Sequence, residues 1–151
     1  MEPVTIQGIP CYAPDLAFDN LGFHPEALTI LSNMERNNFW YISRNEVLKK
    51  TLKMFLKDKP SEMLEVGCGN GTVLRALSEL KNLHLTGGDI YLSGVKFAQT
   101  QAPGVNFIQI NAENIPFENK YDAIVKEKFL KTGWGYNYLK RSLKNYFEAK
   151  T

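Results

Sequence analysis

Between a short apolar run, Met63-Leu64-Glu65-Val66, and a helix-like run from Thr72, the chain reads Glu65-Val66-Gly67-Cys68-Gly69-Asn70-Gly71-Thr72. No other stretch constrains the fold as strongly. A strand that turns sharply into a helix needs glycine where φ is positive or where a ligand approaches the backbone. The start of the helix also presents N–H groups that can hold an anion such as a carboxylate. Asp89 follows Gly67 by 89 − 67 = 22 positions, at the end of the next strand-like run. In a doubly wound sheet that position faces the same crevice, where a carboxylate accepts the hydroxyls of a ribose.

The flanking pattern supports such a sheet. Leu83 to Thr86 reads as a second strand closing at Gly87-Gly88-Asp89, Val105 to Ile110 as a third, and Tyr121 to Val125 as a fourth. Between them, Thr72 to Leu80 carries Val73, Leu74, Leu77 and Leu80 at helical spacing, and Ser93 to Gln101 carries Val95, Phe97 and Ala98. Strands alternating with helices argue for a parallel sheet with helices packed on its faces, and right-handed crossovers bring the strand ends to one side. Upstream, Ser43-Arg44-Asn45-Glu46 matches a capping box. It opens a helix with Val47/Leu48, Leu52 and Phe55/Leu56 as its apolar stripe, ended by Asp58-Lys59-Pro60. Glu26 to Met34 reads as a short helix with Leu28, Leu31 and Ile30 inward. The rest of the first 38 residues is broken by Pro3, Gly8, Pro10, Pro14, Gly22 and Pro25.

Composition narrows the class. The 151 residues suffice for one domain with a core. With 18 basic and 16 acidic side chains the formal charge is +2, which does not point to nucleic acid or an anionic membrane. Cys11 and Cys68 are too few for a disulfide framework. No apolar run reaches the length of a membrane span, and the N-terminus lacks a basic-then-apolar leader. A cytoplasmic location is therefore expected. His24 and His84 read as ordinary surface or core residues, and no group of His, Cys and carboxylates has metal-ligand spacing.

Two nucleoside ligands compete for the glycine loop. A dinucleotide site wants G-x-G-x-x-G, and its third glycine falls here on Thr72. The pattern present is E-x-G-x-G-x-G. An acid two residues before the first glycine suits a ligand with a cationic amino-acid part and suits a pyrophosphate poorly. S-adenosylmethionine has that part, together with a ribose for Asp89.

At this point the sequence resembles class I S-adenosylmethionine-dependent methyltransferases. MLEVGCGNGT is similar to their first motif, LTGGDIYLSGVKFA to their second strand, and NFIQINAENIPFENKYDAIV to their third strand, adenine loop and fourth strand. FHPEALTILSNMERNNFWYISRNEVL resembles a lead-in of a bacterial subgroup with an F-W-(aromatic)-x-x-R-N pattern. The resemblance implies an incomplete Rossmann-like doubly wound parallel α/β sheet, four strands in the order 3-2-1-4, behind an N-terminal helical lead-in. It implies S-adenosylmethionine as cofactor, with Glu65, Gly67, Cys68 and Gly69 at its methionine end, Asp89 on the ribose, Ile90 on the adenine, and Asn111, Ala112 and Glu113 at the adenine edge. Asn111 stands where many relatives carry Asp. Trp40 and Arg44 would cap the site, or Trp40 packs in a cluster with Phe39 and Tyr41. No catalytic residue is named, because direct methyl transfer often needs no dedicated acid or base and draws much of its rate from positioning.

Three parts follow from this reading: a lead-in over 1–42, a partial cofactor domain over 43–125 and a basic, aromatic tail over 126–151. The family continues after its fourth strand with a helix and three more strands that the tail does not resemble. The chain is therefore expected to be a truncated methyltransferase. The alternative is a non-catalytic module that binds a partner, or itself, through the fourth strand's edge and the tail. The tail itself is expected to be poorly ordered or to cover that edge, rather than to bind nucleic acid or membrane.

Overall fold

The computed structural model describes residues 2–18, 25–57 and 59–126; Phe23 and His24 of the lead-in and the tail from 127 onward lie outside them. The elements are β1 (Val4–Ile6), β2 (Ile9–Cys11), a 3-10 turn (Pro14–Leu16), α1 (Pro25–Asn37), α2 (Phe39–Leu56), β3 (Ser61–Val66), α3 (Thr72–Leu77), β4 (Leu83–Asp89), α4 (Leu92–Gln101), β5 (Asn106–Gln109) and β6 (Ala123–Lys126).

They build one sheet in the order β1-β2-β5-β4-β3-β6. Its last four strands, all parallel, are the expected 3-2-1-4 arrangement. Among the described residues the expectation of four strands is corrected to six, because the punctuated N-terminus folds into a hairpin. Gln7 and Gly8 both take positive φ, 52° and 82°, which turns the chain tightly enough for β1 and β2 to pair antiparallel. β2 then joins the edge of β5 in parallel, with Cys11 opposite Gln109.

Side chains alternate across the parallel strands and build two cores. Met63, Leu85, Phe107 and Val125 face Leu48 and Leu52 of α2, Leu74 and Leu77 of α3, and Val95 and Ala98 of α4. Leu64, Val66, Ile108 and Ile110 face the other way, against Tyr121 and the half-buried Tyr12, Ile115 and Phe117. Phe117 meets Tyr12 and Tyr121 edge-on, with ring centroids 4.9 and 5.4 Å apart. At Gly87 the approach is so close that a Cβ would sit 2.4 Å from Leu74 Cδ1, so α3 rests almost directly on β4.

Two helix expectations change. α2 begins at Phe39, where the side chain of Asn38 accepts the N–H of Trp40 at 2.9 Å, so Ser43 to Glu46 lie inside the helix and do not open it. The expected boundary at residue 42 thus falls within α2. α1 runs longer than expected and buries Leu28, but Ile30 is 60% exposed. Gln101 at the end of α4 accepts from Ser32 and Arg36 and holds α1 across the top of the sheet. No helix among the described residues is long and apolar enough to cross a membrane.

Candidate functional site

The ends of β3, β4 and β5 open into a cleft of about 550 Å³, a size typical of small-ligand sites. All nine residues expected at the cofactor line it: Glu65, Gly67, Cys68 and Gly69 from β3 and its loop, Asp89 and Ile90 after β4, and Asn111, Ala112 and Glu113 after β5.

The loop is organised by its own N–H groups. Gly67 and Cys68 donate to the Gly88 carbonyl at 2.7 and 3.0 Å, Gly71 to Cys68 at 2.8 Å, and Thr72 to the Asn70 side chain at 3.1 Å. The Gly69 N–H goes to Asp89 Oδ2 at 2.9 Å, and Tyr91 N–H to Asp89 Oδ1 at 3.2 Å. Asp89 therefore fixes the loop, and each of its oxygens keeps a lone pair for a hydroxyl. The donors expected for an anion at the start of α3 are largely turned inward. Gly71, with φ of 74°, is where α3 crosses α4, and a Cβ there would meet Ala98 Cβ at 3.0 Å. A Cβ on Gly69 would meet nothing within 4 Å, so open space lies beside Asp89.

Four carboxyl side chains line the cleft, Glu35, Glu65, Asp89 and Glu113, and no Lys, Arg or His is among the described residues that do so. Glu65 is 1% exposed. The field registers on Cys68: burial first, then Asp89 and Glu65, pushes its thiol well above the ordinary 9.0. Burial also raises the Cys11 thiol. Both are held as neutral thiols at physiological pH, and Cys68 is a small residue of the cleft wall. Native chain at pH 8 is expected to resist iodoacetamide at both cysteines, while denatured chain labels at both; mass spectrometry reads the difference. Because both folded-state values lie above the unfolded one, the thiols' contribution to stability is complete below pH 9.0 and is lost as pH rises through the folded-state values.

After β5, the Asn111 side-chain carbonyl accepts the Glu113 N–H at 2.9 Å and closes a turn. One lone pair remains there for a ligand amino group. Trp40 and Arg44 do not line the cleft. Trp40 is 65% exposed, and the Arg44 guanidinium donates to Asn45 and lies 5.0 Å from the centre of the Tyr41 ring. His84 is exposed, 3.6 Å from Glu62.

Sequence reading missed the upper wall. Leu28, Leu31 and Glu35 of α1 and Leu16 of the 3-10 turn line the cleft, as do Tyr91 and Gly94. The α1 stripe of Leu28, Leu31 and Glu35, at helical spacing, was the available signal.

A mostly parallel sheet with an acid-flanked glycine loop and a carboxylate at the end of the next strand defines a Rossmann-like, nucleoside-binding class of domain. Within that class the chain belongs to a methyltransferase domain family, whose model matches residues 63–147, more than half of the chain. It is 23% identical over 112 residues to a demethylmenaquinone methyltransferase of Chlorobaculum tepidum, covering 74% of this chain and 45% of that protein. It is 31% identical over 116 residues to a malonyl-[acyl-carrier protein] O-methyltransferase of Bacillus cereus, covering 72% of this chain and 42% of the relative. The chain thus spans less than half the length of these relatives. Among solved structures it resembles the plantazolicin methyltransferase BpumL in complex with a triazolic desmethylPZN analog and SAH, with a TM-score of 0.52, 25% identity, and 66% of this chain and 39% of the other covered. The CurJ carbon methyltransferase shares the fold at 17% identity, with a TM-score of 0.60 over 70% of this chain and 32% of the other.

Proposed function

We propose that this cleft binds S-adenosylmethionine and that the chain is the cofactor-holding part of a methyltransferase. The observation that carries the reading is the cleft's polarity: four carboxyl groups, no cation among its described lining residues, and loop N–H groups spent internally. Such a site repels a pyrophosphate and suits a ligand that is cationic at one end and carries a ribose at the other. The apolar walls from Leu16, Leu28, Leu31 and Ile110 suit an adenine.

In this reading Glu65 holds the ammonium of the amino-acid part, Asp89 the ribose hydroxyls, and Ile90 packs on the adenine. Asn111, Ala112 and Glu113 border the adenine edge, and Gly67, Cys68 and Gly69 leave room for the methionine chain. Bound there, S-adenosylmethionine supplies an electrophilic methyl group on a sulfonium. The chain's part is to orient it. The same reading treats the described residues as one unit, with α1 and the 3-10 turn of the lead-in serving as the cleft's upper wall.

Replacement Glu65→Gln tests the orientation. It keeps shape and removes charge, so it is expected to weaken S-adenosylhomocysteine about tenfold while 5′-methylthioadenosine, which lacks the amino-acid part, stays within about twofold. Competition binding measures both. Equal weakening of the two ligands contradicts the assignment.

A further inference from the structure

We propose that Gln109 is a positioning residue for the nucleoside half of the site, acting by clamping Ala13–Ala17 onto the loop after β4. The proposal rests on the S-adenosylmethionine reading above. Gln109 ends β5 and is 0% exposed. Burying an amide is costly unless its polar atoms are bonded, and here they are. Its Oε1 accepts the Ala13 N–H at 3.0 Å, and its Nε2 donates to the carbonyls of Ala13 and Ile90, both at 2.8 Å. One side chain therefore ties an N-terminal segment to the residue expected to pack on the adenine.

The backbone completes the clamp. Tyr12 N–H donates to the Gln109 carbonyl at 2.9 Å, and Leu92 N–H to the Ala17 carbonyl at 3.0 Å. The segment is thus held at both ends against Ile90–Leu92, and between these ties the 3-10 turn presents Leu16 to the cleft. A hairpin of two three-residue strands is marginal on its own, so the β1–β2 pair would not hold this wall unaided. An apolar residue at position 109 would fill the core equally well but would hold neither Ala13 nor Ile90. Glu65 and Gly67, on the far side of β4 from β5, take no part in these bonds.

The test titrates full chain, Gln109→Met and Leu16→Ala with S-adenosylhomocysteine and with 5′-methylthioadenosine, after circular dichroism and melting. Gln109→Met is expected to weaken both ligands about tenfold or more, and Leu16→Ala about threefold, with the ratio between the ligands unchanged. The loss then lies in the half that both ligands share. A purely structural role lowers the melting temperature and leaves both affinities as they were, which overturns the proposal. So does a loss confined to S-adenosylhomocysteine. If Gln109→Met fails to fold, Leu16→Ala decides, since it leaves the buried amide intact; unchanged affinities there also overturn the proposal. Absence of binding by the unaltered chain refutes the cofactor reading instead.

Discussion

The substitution Gly71→Val is expected to destabilise the chain by roughly 2–5 kcal/mol, as the sum of backbone strain and overpacking. Gly71 holds φ at 74°, where an L side chain costs about 1–2 kcal/mol. The space is also taken: a Cβ would lie 3.0 Å from Ala98 Cβ, 3.1 Å from its Cα and 3.2 Å from its carbonyl oxygen. Two of those atoms are backbone, so relief requires moving α4 away from α3. Domains are stable by only about 5–15 kcal/mol, so a loss of this size moves the urea midpoint well below that of the unaltered chain. Gly71→Ala, which meets the same three atoms, should fall between. An unchanged midpoint for the valine variant would mean that α3 and α4 do not meet as described.

Asp89→Ala is expected to weaken S-adenosylhomocysteine by about a hundredfold or more, about 2.8 kcal/mol. Two losses combine. The ribose hydroxyls lose their acceptor, and the Gly69 and Tyr91 N–H groups lose the oxygens that set the loop and the turn after β4. Both partners lie at the rim of the cleft, where water can replace the lost bonds, so the fold itself should lose only about 0.5–1.5 kcal/mol per bond. The variant should remain folded at ambient temperature while its binding disappears. Calorimetry with a parallel melt separates the two effects, and a folded variant with binding intact would remove Asp89 from the site.

The centre of the molecule was legible because its determinants are local. The glycines of the β3–α3 turn, the acid at Glu65 and the position of Asp89 are fixed by short-range geometry, and all nine expected cofactor residues share one cleft. The N-terminus was not legible. Val4–Ile6 and Ile9–Cys11 are three residues each, too short for alternation to register, and Pro10 reads as a strand breaker. Their pairing becomes favourable only once β5 offers an edge, a contact almost a hundred positions away in the chain. The start of α2 was misplaced for a related reason. Phe39, Trp40 and Ile42 are exposed, so the first turn carries no inward stripe, while Asn38 supplies the cap. Leu16 and Gln109 escaped notice because a lone leucine after a proline and a lone glutamine in a strand announce nothing. Their partners are brought to them by the tertiary fold.

Whether the cleft is an S-adenosylmethionine site is read by calorimetric titration of the full chain with S-adenosylhomocysteine, with NAD as comparison. One-to-one binding near micromolar, about −8 kcal/mol, is expected, with no measurable heat from the pyrophosphate ligand. A folded chain that binds NAD as well as S-adenosylhomocysteine, or that binds neither, would contradict that assignment.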